Sequence, residues 1–309
     1  MVLRMPRGAR ALALLILVAC FGYALAACSG VPAGRGSAAV FVTPSASPAP
    51  APSASASPAP VPSASLATHQ PTVNSATAAP AWLGTRVLKP GPNGVIAARA
   101  TPPELRDRSI ITVDDLPPPA DGRFHATSKP VPASVLARSS WTEDCPVPST
   151  DLRYVTVSFR GFDRHAHTGE LLVNKKAATG LISVFRQLFA ANFPIERMRI
   201  SSAAELNGPP TGDGNTTEAF ACRPVRGQTS WSQHAYGLAV DINPFQNPYH
   251  KGKTVLPELA TAYLDRTSTW PGIVKPGGPV VRAFHSIGWK WGGDYQSLKD
   301  FMHFSANGG

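Results

Sequence analysis

Nowhere in the 309 residues do five basic side chains run together, and no ladder of aromatics accompanies the cations, although the formal net charge is +10. Basic excess favours association with polyanions, but reading a nucleic acid takes clustered cations and stacking surfaces. Their absence excludes nucleic acid as a partner. Attraction to anionic cell-wall polymers or lipid headgroups fits the charge better, and that concerns association rather than chemistry. The chain also lacks an internal repeat, a regular strand–helix–strand alternation and the metalloprotease motif His-Glu-x-x-His. Cysteine is scarce, with four positions: Cys20, Cys28, Cys145 and Cys222.

Acidic residues are missing from the first apolar run. Arg4, Arg7 and Arg10 precede Ala11 to Ala27, the layout of a secretory signal, too short and too poorly flanked to read as a membrane span. Removing those three arginines lowers the formal charge to about +7. Residues 1–27 are read as the signal. Its end, Leu25-Ala26-Ala27-Cys28 followed by Ser29-Gly30, resembles the bacterial lipobox, in which the cysteine becomes the lipid-modified first residue of the mature chain. The resemblance implies a lipoprotein, exported and anchored through Cys28 to the outer face of the cell membrane. Such acylation meets the two-signal requirement for stable anchoring. Cys145 and Cys222 then remain as an even pair in an oxidising compartment. A disulfide between them is expected, with two unrelated buried thiols as the other reading. It would span 77 positions, worth roughly 4 kcal/mol on chain-entropy grounds. Neither cysteine has a histidine near it in sequence, which argues against a thiol nucleophile.

Residues 28–80 read as a tether, almost wholly Ala, Ser, Pro, Thr and Val from Ser37 onward, unable to build a core. Residues 81–139 read as an irregular approach segment, with short apolar pieces such as Ile110 to Val113 broken by Asp114-Asp115 and Pro117 to Pro119. A globular domain is expected over 140–309. Val155, Val157 and Phe159 alternate with Thr156 and Ser158, a half-buried strand. Gly161 to Gly169 reads as a turn and Glu170 to Val173 as the returning strand. Asn174 suits the N-cap of a helix from Lys175 to about Ala191, whose Ala178, Leu181, Ile182, Phe185, Leu188 and Phe189 share one face. Ile195 to Ile200 reads as a strand and Leu256 to Leu264 as a short helix. A last helix starts at Pro279 and ends before Gly288. The predicted class is α+β with a mainly antiparallel sheet flanked by helices.

The chemistry concentrates in Ser232-Gln233-His234-Ala235-Tyr236-Gly237-Leu238-Ala239-Val240-Asp241. A carboxylate closing an apolar run needs a hydrogen-bonding or metal partner. A continuous strand would put His234 and Asp241 on opposite faces, so a shared ion requires the chain to fold back, and Gly237 permits a tight reversal. Alone, the His-x6-Asp spacing is weak evidence for a metal. The distant Asp300-Phe301-Met302-His303 adds a second imidazole and a carboxylate three residues before it, on the same face of a turn or helix. A catalytic zinc needs three protein ligands, an open position and a base for water.

Ser232-x-His234-x-x-Gly237-x-Ala239-x-Asp241 with Asp300-x-x-His303 resembles the peptidoglycan metallopeptidases that include D-alanyl-D-alanine carboxypeptidases, D,D-dipeptidases and L-alanyl-D-glutamate endopeptidases. The run Trp289 to Phe304 is most similar to the endopeptidase branch. The resemblance covers about residues 140–309 and implies a hedgehog-like zinc fold. It implies Zn2+ bound by His234, Asp241 and His303, with Asp300 as the general base toward water on the metal. Arg223 corresponds to the arginine that polarises the scissile carbonyl or holds a substrate carboxylate, although it follows Phe-x-Cys-Arg rather than the Gly-Tyr-Arg of many relatives. Ser232 matches a supporting or substrate-binding serine. The implied substrate is a peptidoglycan stem peptide, cut by a monomer as carboxypeptidase or endopeptidase.

Other residues read as structural. His285 and His250 are expected to be structural, His165 and His167 solvent-exposed in the strand turn, Trp289 and Trp291 core or rim, and Asp294 a turn residue. Asp163 and Glu170 have no evident partner. A non-catalytic zinc-containing wall-binding module is the alternative function. A serine-type D,D-peptidase is disfavoured because no Ser-x-x-Lys stands where its nucleophile belongs.

Overall fold

The computed structural model describes residues 76–91 and 96–308. The signal segment, Cys28 and the tether as far as residue 75 lie outside the described residues. Among those described, no helix is long and apolar enough to cross a membrane.

Strands β1 (Ala126–Pro130), β2 (Leu152–Arg160) and β3 (Ala166–Asn174) form an antiparallel sheet with β2 in the middle. A five-residue helix, α1 (Ala133–Ala137), lies between β1 and β2. Val155, Val157 and Phe159 of β2 face helix α2 (Ala178–Ala190), which lays Leu181, Val184, Phe185 and Leu188 on them. The predicted half-buried strand is covered on its other face too. Leu152, Tyr154 and Leu172 pack with Val135, Phe220 and Cys145. Cys145 and Cys222 are joined as a disulfide, so this covering layer is covalently pinned. The turn is shorter than predicted, and β3 begins at Ala166.

The helix also starts later than the sequence suggests. Asn174 ends β3, and its side-chain Oδ1 accepts the Lys176 N–H at 3.1 Å while its amide donates to the Tyr236 carbonyl at 3.1 Å. Occupied in this way, it closes a turn rather than capping α2, whose N-cap is Ala177. The strand expected over Ile195 to Ile200 shrinks to β4 (Arg197–Met198), paired in parallel with β5 (Thr216–Thr217). Between them lies α3 (Ala203–Asn207), with a reciprocal capping box of Ser202 and Glu205.

The second half carries short strands: β6 (Ala239–Asp241), β7 (Tyr249–Lys251), β8 (Thr254–Leu256), β9 (Lys290–Trp291), β10 (Lys299–Asp300) and β11 (His303–Ser305). They assemble as two three-stranded antiparallel sheets, ordered β6-β11-β9 and β10-β7-β8. The expected helix near Leu256 is a 3-10 turn, Ala260–Leu264. Helix α4 (Pro279–His285) has Pro279 at its start, and Gly288 follows with φ +79°. Its Phe284 stacks on Phe304 with centroids 4.0 Å apart, joining the C-terminal sheet to the main core.

Residues 81–139 contribute more than a surface layer. Leu105 and Ile110 are buried with Phe245, Val255, Leu259 and Tyr263, forming a second core. Arg108 lies beneath them, its guanidinium forked onto Glu196 at 2.8 and 2.6 Å and donating to the Asp213 carbonyl at 2.7 Å. Asn215 donates to the same carboxylate at 2.7 Å. A buried ion pair needs this density of partners to offset its lost hydration.

Candidate metal centre

The site starts with a reversal. Ser232 leads a 3-10 turn, Gln233–Tyr236, and its Oγ accepts the His234 N–H at 3.3 Å. Gly237 closes the turn at φ +65°, and a Cβ there would come within 2.6 Å of the Asn174 backbone nitrogen. Only glycine meets both demands. The chain then enters β6 and delivers Asp241 back beside His234.

From the other end, Asp300 closes β10, a two-residue turn follows, and His303 opens β11. The three-residue spacing is thus realised as strand, turn and strand. Gly292 allows the approach, since a Cβ there would lie 2.5 Å from the Asp300 carbonyl oxygen. His303 and Asp241 are register partners, and Asp241 is bridged on its other side to Glu218. Neighbours in register project to one face. Glu218, just past β5, Asp241 on β6 and His303 on β11 therefore form a row.

His234 Nδ1 lies 2.6 Å from the Ala219 carbonyl oxygen. A carbonyl only accepts, so Nδ1 carries the proton and Nε2 turns its lone pair inward. His234 Nε2 and His303 Nδ1 are 3.2 Å apart, and Asp241 Oδ1 lies 3.3 and 3.1 Å from them. Donor atoms of a tetrahedral zinc at bonds of about 2.0 Å are separated by roughly 3.3 Å. The triangle has that edge on every side. All three residues are at least nine-tenths buried, and among the described residues theirs is the one such group of donor atoms able to hold a metal ion. Two nitrogens and a carboxylate oxygen match a borderline divalent cation such as zinc.

The electrostatics agree. Burial raises the Asp241 carboxyl, but His234 and His303 overcome this and hold it well below the ordinary carboxylate range. Burial opposes charge on His234, yet Asp241 raises it on balance. Asp300 moves the other way, pushed up to about 7 by burial and then by Asp241, against the pull of His303 and Arg223. Its Oδ1 is buried and has no hydrogen-bond partner. A carboxyl poised near neutrality with an unused oxygen fits a general base.

Arg223 sits on a hairpin arm: Ser232 N–H bonds the Arg223 carbonyl and Val225 N–H the Ser230 carbonyl. Its charge acts on His234, Glu218 and Asp300 together, and no carboxylate lies within ion-pair distance of it among the described residues. Three residues of this neighbourhood escaped the sequence reading. Arg226, farther along the arm, feels Arg223, Asp241 and Glu218. Glu218 hydrogen-bonds Ser201 and is pushed up by burial. Tyr295 neighbours Asp300 and Asp241. None stands in a recognisable spacing, because strand pairing brings them there.

Residues 226–306 match the model of the family described as D-alanyl-D-alanine carboxypeptidase. Over that segment the chain is similar to this peptidase family. The match takes in Ser232, all three members of the triangle and Asp300, and begins just after Arg223. No solved structure matches the chain.

Outside the matched segment, the expectations for His167, Asp163 and Glu170 are corrected. His165 is exposed, but His167 is buried, its Nδ1 2.9 Å from Asp114 and its Nε2 3.0 Å from Asp163. The hairpin turn is covered by residues 111–120, which close over it. Glu170 likewise has partners, Arg138 and the Tyr154 hydroxyl. Trp289 and Trp291 are core, as expected, and Asp294 is an exposed turn residue.

Proposed function

We propose that this chain is a zinc-dependent peptidase that hydrolyses a peptide bond in peptidoglycan stem peptides, built on a hedgehog-like fold. The equal-edged triangle of His234, Asp241 and His303 carries this reading. Stem-peptide chemistry comes from the family likeness of residues 226–306. On the same reading, the signal over residues 1–27 directs export and a lipid on Cys28 anchors the protein at the membrane's outer face, facing its substrate.

Bound zinc would act as a Lewis acid, polarising the scissile carbonyl and bringing the pKa of water toward neutrality. The chain supplies the rest. Ala219 and the turn at Ser232 fix the His234 ring, and register with β11 fixes Asp241 against His303. Asp300 takes a proton from the attacking water at its free Oδ1 and returns it to the leaving amine. Arg223, uncompensated beside the site, meets a carboxylate of the substrate or the polarised carbonyl. Ser232 supports the first ligand from the turn.

Purified protein should carry about one zinc per chain and release fragments from defined muropeptides, identified by mass. The fragment masses also decide between carboxypeptidase and endopeptidase action. Protein that binds zinc and leaves every muropeptide intact is the wall-binding module instead.

A further inference from the structure

Ser305 is fully buried on β11, two residues beyond His303, so its side chain leaves the same face of the strand. A buried hydroxyl requires partners. Its Oγ accepts the Gly308 N–H at 3.2 Å. Its other partner is the Tyr295 hydroxyl, and because Gly308 already donates to Oγ, the buried Ser305 proton goes to the phenol oxygen. With that oxygen accepting, the phenol's own proton is left to be donated elsewhere.

The ring of Tyr295 leans over the base. A Cβ placed on Gly292 would lie 2.9 Å from Asp300 Cβ and 3.1 Å from Tyr295 Cε2, so the two side chains close on one point. Burial first, then the charges of Asp300 and Asp241, keep the phenol protonated. Asp300 Oδ1, buried beside it, has no hydrogen-bond partner. A free donor and a free acceptor thus border the space next to the His234–Asp241–His303 triangle.

Their polarities differ in a useful way. A carboxylate oxygen takes groups that donate, namely water and an amine N–H. A neutral phenol with its oxygen already occupied gives to a group that only accepts. In a peptide, that group is the carbonyl oxygen. We propose that the Tyr295 hydroxyl donates a hydrogen bond to the scissile carbonyl oxygen as negative charge develops on it, with Ser305 aiming the phenol. This inference rests on the peptidase reading.

Tyr295→Phe removes one O–H and keeps the ring. The expected result is kcat lowered by about 10²-fold, the loss typical of an oxyanion donor, with KM and zinc content unchanged. Ser305→Ala should give a smaller loss in the same direction and none in addition to Tyr295→Phe. A phosphinate peptide analogue, tetrahedral and anionic, should lose affinity for zinc-loaded Tyr295→Phe by the same factor as kcat/KM, while the product peptide binds as before. A kcat within about twofold of wild type, an equal loss in product-peptide binding, or a fall in zinc content overturns the proposal. Wild-type protein that hydrolyses no peptide sinks the peptidase reading instead. Phosphinate affinity then still decides Tyr295, and equal affinity in wild type and Tyr295→Phe overturns its role.

Discussion

His303 Nδ1 and Asp241 Oδ1 stand 3.1 Å apart as register partners on adjacent antiparallel strands. Strand pairing fixes this distance before any ion arrives, and the Glu218 bridge holds Asp241 from its other edge. A donor triangle set in paired strands is preorganised, so little reorganisation opposes binding.

Metal uptake should therefore stabilise the fold. At a free zinc concentration of about 1,000 times Kd, binding contributes roughly 4 kcal/mol. Chelation should lower Tm, and zinc alone should restore it. Asp241→Asn and His303→Ala should each cut zinc per chain by an order of magnitude or more at limiting metal, read by atomic absorption. Their metal-free Tm should differ from the wild type's metal-free value far less than chelation changes it.

Asp300→Asn should keep the zinc and lose hydrolysis by about 10²- to 10⁴-fold, the usual contribution of a positioned base. The pH dependence follows from its environment. Asp300 is pushed up to about 7 in the metal-free site, and a bound cation lowers it from there. A base works only when deprotonated, so kcat/KM should fall as pH drops below a value at or under about 7. Zinc content measured across the same range should stay constant while the rate falls. A rate that tracks zinc loss instead would remove Asp300 from this role.

Arg223 has a charge but no ion-pair partner among the described residues, which leaves it for the substrate. Arg223→Ala should lower kcat/KM by about 10- to 150-fold, the worth of a charge-assisted bond, at unchanged zinc content. Arg223→Lys should recover only part of this, since an ammonium cannot make the two parallel bonds of a guanidinium. Steady-state kinetics on one muropeptide are sufficient.

Much of the site was legible in the sequence because glycine and ligand chemistry leave marks there. Gly237 had to reverse the chain, and Asp241 needed a partner. The β2–β3 hairpin, α2 and α4 were legible from periodicity, Pro279 and Gly288. Glu218, Arg226 and Tyr295 were not, because register and a hairpin arm bring them together, and neither leaves a local pattern. His167 was misread for a related reason. A histidine in a turn looks exposed until a distant segment carrying Asp114 covers it.

That segment supplies the last prediction. Composition turns globular near Ser140, yet Leu105 and Ile110 complete the core around Phe245 and Tyr263, and Arg108 neutralises buried Glu196. A chain beginning at residue 76 should match the full-length protein in Tm and urea midpoint. One beginning at residue 140 strips the second core and leaves Glu196 with Asn215 as its remaining side-chain donor. Orphaning one member of a buried pair costs about 3–5 kcal/mol, and each large apolar truncation about 2–5 kcal/mol more. A domain typically has about 5–15 kcal/mol to lose. The shorter chain should therefore fail to fold cooperatively, seen as a lost near-UV dichroism signal and a flat melting curve. Arg108→Ala in the full chain isolates the ion pair and should lower stability by about 3–5 kcal/mol in urea titration. Arg108→Leu with Glu196→Leu should recover much of that, because the cost lies in the stranded charge rather than in the lost contact.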